Sequence, residues 1–105
     1  TRNSKVDDII KRLNEYEITP VVVDPWASHR DAMHEYGVTL TDMAEVKDAD
    51  CIIVAVAHNE FKKMSLEDMK KLFKNDNPAE NVLVDVKGLY KKTDLDASGL
   101  RYWRL

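Results

Sequence analysis

The chain has 105 residues, with 16 basic and 19 acidic side chains and a formal net charge of −3. That length fits one domain with one modest core and leaves little room for a complete cofactor-dependent enzyme, and the charge excludes an overall basic field for nucleic acid or an anionic membrane. The single cysteine excludes an internal disulfide framework and a multi-cysteine zinc cluster. It suits a reducing cytosol, and with no bilayer-length apolar run and no signal-peptide pattern the expectation is a soluble, cytoplasmic protein.

Ser4, with Asp7 three residues on, predicts a helix start of capping-box type. Val6, Ile9, Ile10, Leu13 and Tyr16 then recur at helical spacing through about Glu17, which gives one apolar face. Arg2 lies just before the cap. There it either shares an anion with the free amides of the helix end or is an exposed arginine near a chain end.

Val21-Val22-Val23-Asp24-Pro25 is a β-branched run stopped by Asp-Pro, and predicts a buried strand. Carboxyl ends of parallel strands face the ligand crevice, so Asp24 and Trp26 are candidates for a site; an Asp in the turn before a helix is the competing reading. Ser28 caps a predicted helix through His29, Ala32, Met33 and Tyr36, stopped by Gly37. His29 and His34 are five apart, which separates their rings around a helix, and no third ligand stands at a zinc-site spacing. Both are read as surface residues, with no metal. Thr41 or Asp42 starts a brief predicted helix over Met43 to Val46.

Cys51-Ile52-Ile53-Val54-Ala55-Val56-Ala57 is the most continuous apolar run, and predicts a central strand buried on both faces with Cys51 as an inert core thiol. His58 follows at the strand exit, either as a polar contact in a crevice or as a structural or solvated histidine. Ser65 with Asp68 repeats the capping pattern ahead of Leu66, Met69, Leu72 and Phe73, the face of a further helix. Asn75-Asp76-Asn77-Pro78 ends it.

Asn81-Val82-Leu83-Val84-Asp85-Val86-Lys87-Gly88-Leu89-Tyr90 is a buried strand that stops at a lysine and a glycine. Gly88 can take dihedrals closed to other residues, and Lys87 at that edge is a point charge suited to phosphate. Locally, a solvated lysine followed by a turn glycine is the leading alternative. Lys91 to Gly99 reads as a polar, mobile loop. Leu100-Arg101-Tyr102-Trp103-Arg104-Leu105 alternates and is aromatic-rich, which predicts a last strand at a sheet edge, with Arg101 a further strand-end candidate. The element order predicts an α/β fold with a mainly parallel, Rossmann-like doubly wound sheet, although such folds normally begin with a strand and this one begins with a helix.

Five stretches in order carry a resemblance: Arg2-Asn3-Ser4-Lys5-Val6, Val23-Asp24-Pro25, Ala55-Val56-Ala57-His58-Asn59-Glu60-Phe61, Val84-Asp85-Val86-Lys87-Gly88 and Tyr102-Trp103-Arg104-Leu105. Through them residues 1–105 resemble the C-terminal, UDP-sugar-binding domain of the UDP-glucose/GDP-mannose dehydrogenase family, most closely the branch acting on UDP-N-acetylhexosamines. The resemblance implies a parent enzyme, a homodimer, with an N-terminal NAD-binding domain and a central region carrying the catalytic cysteine and lysine. Members oxidise the sugar C6 alcohol to a carboxylate in two NAD-linked steps, for surface polysaccharide precursors. Cys51 does not match the catalytic position and takes no such role; because the resemblance implies that the other site walls lie in the rest of the parent, this chain alone is expected to be inactive.

Two positions take a family role by the resemblance. Arg2 matches the arginine of an Asp-x-Arg-x-Ser motif, and Lys87 the basic residue after the penultimate strand, where other branches have Arg; both are implied near the diphosphate. The resemblance also implies an opening strand ending in Gly-x-x-Phe-Lys before Thr1. The chain is therefore expected to be a fragment lacking that strand, with the gap filled by an altered pairing, a partner chain or residues outside this sequence. Two other readings are a stand-alone nucleotide-binding or interaction module and a receiver-type signalling domain. The receiver needs a phospho-accepting Asp at the end of a middle strand, whereas Asp50 precedes its strand.

Overall fold

Helix α1 spans Ser4–Glu15, in a computed structural model that describes residues 4–24 and 40–105. The chain divides into two units, Thr1–Val46 and Lys47–Leu105. In the first, the apolar stripe of α1 buries Ile10 against Leu40, with Val6 and Val22 packed around them. Asp7 is buried in the first turn, where a carboxylate suits the positive helix end, and pairs with Lys11 at 3.5 Å. The helix ends in a Schellman arrangement. Ile18 N–H donates to Leu13 O and Glu17 N–H to Asn14 O, both at 2.9 Å, with Glu17 at φ 62° where glycine is usual. Tyr16 continues the apolar spacing yet stays 67% exposed, beneath the Arg12 guanidinium at 5.8 Å.

The buried strand expected over Val21–Val23 is reduced to one parallel bridge between Val22 and Leu40, closed by Thr41 N–H on Val22 O at 2.8 Å. Val21 is 68% exposed. Strand propensity is realised only against a paired, packed neighbour, and among the described residues Leu40 is the one ladder partner. The brief helix expected over Met43 to Val46 is a single 3₁₀ turn, Met43–Glu45. Arg2, Trp26, His29, His34 and the helix expected from Ser28 to Gly37 lie outside the described residues.

The second unit holds a parallel sheet of β1 (Cys51–Val54), β2 (Val82–Asp85) and β3 (Arg101–Arg104), in that spatial order. Parallel neighbours need crossovers. Helices α2 (Asn59–Lys62) and α3 (Leu66–Lys70) and a 3₁₀ turn at Pro78–Glu80 lie between β1 and β2 in the chain, and α4 (Lys92–Ser98) between β2 and β3. The core consists of Val54, Met69, Phe73, Leu83, Leu95 and Leu100. Leu83 and Leu95 are fully enclosed, each contributing roughly 1.5–3 kcal/mol of hydrophobic stabilisation. The capping box read from Ser65 and Asp68 is formed, with Asp68 N–H on Ser65 Oγ at 3.1 Å and Ser65 N–H on Asp68 Oδ2 at 2.9 Å.

The α/β class with a parallel, Rossmann-like sheet is as expected, with two corrections of detail. The run Cys51 to Ala57 forms a ladder only over Cys51–Val54, and among the described residues it pairs on one side, with β2. Cys51 is exposed at the strand's start rather than buried in the core. Its partial burial and then the Asp50 charge push the thiol up, which keeps it a poor nucleophile. Second, the segment expected as a mobile loop contains α4. Leu95 drops into the core, Gly99 ends the helix at φ 81°, and the Tyr102 hydroxyl donates to the Asp96 carboxylate from β3. The three strands run in sequential order, as they do within one half of a doubly wound sheet.

Candidate anion-binding loop after β2

The register places Val54 opposite Asp85 and Asp85 opposite Arg104, so the carboxyl ends of the three strands are level. The chain leaves β2 here. Val86 N–H donates to Val54 O at 3.0 Å and Leu105 N–H to Asp85 O at 3.1 Å, which carries the ladder one step past the last strand residues.

Asp85 has no exposed surface. A buried carboxylate is costly unless its oxygens are satisfied, and here both are: Oδ1 accepts from Leu89 N–H at 2.8 Å and Oδ2 from Tyr90 N–H at 2.9 Å. The residues between must therefore turn back on the strand end. Gly88 makes that turn at φ +66°, in the left-handed region, as its sequence position led us to expect. Lys87 is left exposed on the outside of the turn.

Two further contacts hold the loop. Arg104 Nε donates to Tyr90 O at 2.8 Å, and its guanidinium lies against Gly88. The Tyr90 hydroxyl donates to Met64 O at 2.9 Å. Burial first, then the charges of Asp85 and Asp68, push this phenol up to about 12. The result is a short loop at the carboxyl ends of parallel strands that carries a lysine, a close-approach glycine and a flanking arginine. A lysine cation beside a glycine turn, on a loop held in place by the arginine, is suited to a phosphate group.

The other candidates are placed as follows. His58 caps α2, its Nδ1 accepting from Glu60 N–H at 3.1 Å, with its ring tilted against Phe61 at 5.6 Å. Arg101 pairs with Val82 at the amino end of the sheet, about 10 Å from Arg104 along the strand. The structure thus sets Arg104 against Gly88, the residue after Lys87, and leaves Arg101 at the far end. A concavity of about 250 Å³, with Lys70, Lys71 and Asn81 in its wall, lies near that amino end and does not include Lys87. Asp85 and Arg104 are not among the candidates that the sequence marks. The only local signal for Asp85 is an acidic residue interrupting an apolar run; the register decides which arginine of Arg101-Tyr102-Trp103-Arg104 meets the loop. A phospho-accepting role does not suit Asp85, whose two oxygens are enclosed and engaged.

Among the described residues no group of three His, Cys, Asp or Glu side chains is placed to hold a metal ion, and no helix is long and apolar enough to cross a membrane. The three glycines, at positions 37, 88 and 99, do not form the Gly-x-Gly-x-x-Gly loop that cradles a dinucleotide, so these residues do not fit an NAD site.

A parallel α/β sheet with its charged loop at the carboxyl strand ends defines a Rossmann-like ligand-binding domain. The chain belongs to the UDP-glucose/GDP-mannose dehydrogenase family, whose UDP binding domain matches residues 1–92. It is 50% identical over 100 residues to a UDP-N-acetyl-D-glucosamine 6-dehydrogenase of Pseudomonas aeruginosa, covering 95% of this chain and 22% of that protein. It is 34% identical over 86 residues to a protein of the same name from Salmonella typhi, covering 82% and 19%. To Protein CapL of Staphylococcus aureus it is 33% identical over 104 residues, covering 99% and 23%. The chain thus spans about a fifth of the length of these relatives. No solved structure matches it.

Proposed function

We propose that this chain is the UDP-sugar-binding domain of a larger, cytoplasmic, NAD-dependent UDP-sugar 6-dehydrogenase, which oxidises the sugar C6 alcohol to a carboxylate for surface polysaccharide precursors. The substrate is a UDP-N-acetylhexosamine, NAD is held by an N-terminal domain outside this sequence, and the parent is a homodimer. The observation that carries this reading is the loop after β2. Lys87 stands exposed beside Gly88 at the carboxyl ends of the strands, where it meets the diphosphate as a point charge. Arg2, by its match to the family's arginine, is a separate candidate for the diphosphate, and Gly88 lets the backbone come close. Trp26 and His58 are further candidates for the substrate wall, whereas Arg101 stands at the opposite, amino end of the sheet. Relatives named as UDP-N-acetyl-D-glucosamine 6-dehydrogenases support the substrate class.

The test is calorimetric titration of UDP and UDP-N-acetylglucosamine into the full-length protein and its Lys87→Ala variant. Binding that weakens by about tenfold or more in the variant, as loss of a charged phosphate contact predicts, supports the reading; unchanged affinity overturns the role of Lys87. Residues 1–105 alone should give no turnover, and NAD reduction by them would overturn the assignment to a binding domain.

A further inference from the structure

We propose that Asp85 and Arg104 are positioning residues for Lys87: neither touches the nucleotide sugar, and together they fix in advance the loop that presents the lysine. The inference rests on the reading of Lys87 given above. Its ground is the number and origin of the ties on one short loop. From inside, the buried Asp85 carboxylate takes the N–H groups of Leu89 and Tyr90, four and five residues further on. From the neighbouring strand, Arg104 Nε takes the Tyr90 carbonyl while its guanidinium lies against Gly88. From the segment ahead of α3, Met64 O holds the Tyr90 hydroxyl.

A loop that merely reverses direction needs none of these. A full carboxylate in the core is a costly way to hold two amides unless their placement matters. Its effect is to close the turn over Gly88, so that the Lys87 side chain leaves the protein from a backbone already set. Lysine has a flexible stem and gains from such an anchor, because ordering done during folding is not repeated on binding. Asp85 is excluded from ligand contact by its burial and its two engaged oxygens. Arg104 acts through Tyr90 O, with its Nε committed there.

The test uses the full-length protein and a double-mutant design: Lys87→Ala, Asp85→Asn, Arg104→Ala, and each of the last two combined with Lys87→Ala. The readouts are KM for UDP-N-acetylglucosamine, kcat, KM for NAD and apparent melting temperature. Asp85→Asn and Arg104→Ala should each raise the sugar-nucleotide KM by about three- to thirtyfold, the range of coupling within one network. KM for NAD and kcat should stay within about twofold, because an interaction shared by ground and transition states moves KM alone. Added to Lys87→Ala, neither should raise KM further. Arg104 is exposed, so its variant carries the test if Asp85→Asn does not fold. Single variants with unchanged KM, or effects that multiply in the double variants, overturn the positioning role. If Lys87→Ala alone leaves KM unchanged, it is the underlying reading of Lys87 that falls, and the positioning role with it.

Discussion

Gly88 and Arg104 are in contact across the β2–β3 edge: a Cβ built on Gly88 would stand 3.2 Å from Arg104 Nη2 and 3.4 Å from its Cζ. Gly88 also sits at φ +66°. Gly88→Ala therefore meets two penalties. The left-handed backbone costs an L-residue about 1–2 kcal/mol, and the new methyl crowds the guanidinium that holds Tyr90 O. The expected outcome is a lower denaturation midpoint with unchanged m-value, together with weaker UDP-sugar binding. Binding that survives intact alongside the stability loss would show that the loop need not be close-fitting.

Tyr90 gives a pH signature. Its phenol is pushed up to about 12, mainly by burial, while an unfolded tyrosine titrates near 10. The folded state therefore holds its proton longer than the unfolded state, and stability falls as pH rises from about 10 to about 12. Tyr90 is only half buried, so solvent screening reduces the effect to roughly 1 kcal/mol. In the Tyr90→Phe variant the alkaline decline should be shallower and a late tyrosinate absorbance step should disappear. The substitution also removes the bond to Met64 O, at a pH-independent cost of about 1 kcal/mol. An alkaline decline identical in both proteins would count against the burial of this phenol.

Leu95 is the anchor of α4 and is fully enclosed in the core with Val54, Leu83 and Leu100. Leu95→Ala should destabilise by about 2–5 kcal/mol, the range for emptying a buried leucine site. Thermal and denaturant unfolding would show it. A surface-like change of a few tenths would mean that the segment is the loose loop its composition suggests.

That segment shows where the sequence is readable and where it is not. The box at Ser65 and Asp68 is written in local chemistry, because both partners lie within one turn. The β2 strand is likewise marked by its own apolar run. Helix α4 has a single large apolar residue in Lys92-Thr93-Asp94-Leu95-Asp96-Ala97-Ser98, too few to show a period. Its signals are the Lys92–Asp96 pair at i,i+4 and the left-handed Gly99 that ends it, each weak alone. Asp85 and Arg104 illustrate a different limit. Their roles depend on which residues the sheet register sets side by side, and that is decided by tertiary pairing, so Arg101 and Arg104 look alike until β3 is docked. Cys51 follows the same logic, since whether a strand is central depends on its neighbours and not on its own hydrophobicity.

The capping box also yields an acid signature. The Ser65 backbone N–H first, and then its hydroxyl, hold the Asp68 carboxyl below its usual value. A carboxylate with a depressed folded pKa contributes stability that is fully present above the unfolded value and is lost as pH falls through the folded one. Ser65→Ala removes the hydroxyl acceptor for Asp68 N–H and should cost about 1 kcal/mol near neutral pH, as N-cap truncations do. The Ser65 N–H remains, so the depression of Asp68 should shrink without vanishing. Comparing acid unfolding of the two proteins checks this. The difference in stability between them should narrow as pH drops below the ordinary carboxylate range, and a constant gap across that range would mean that the hydroxyl caps the helix without helping to hold the Asp68 charge.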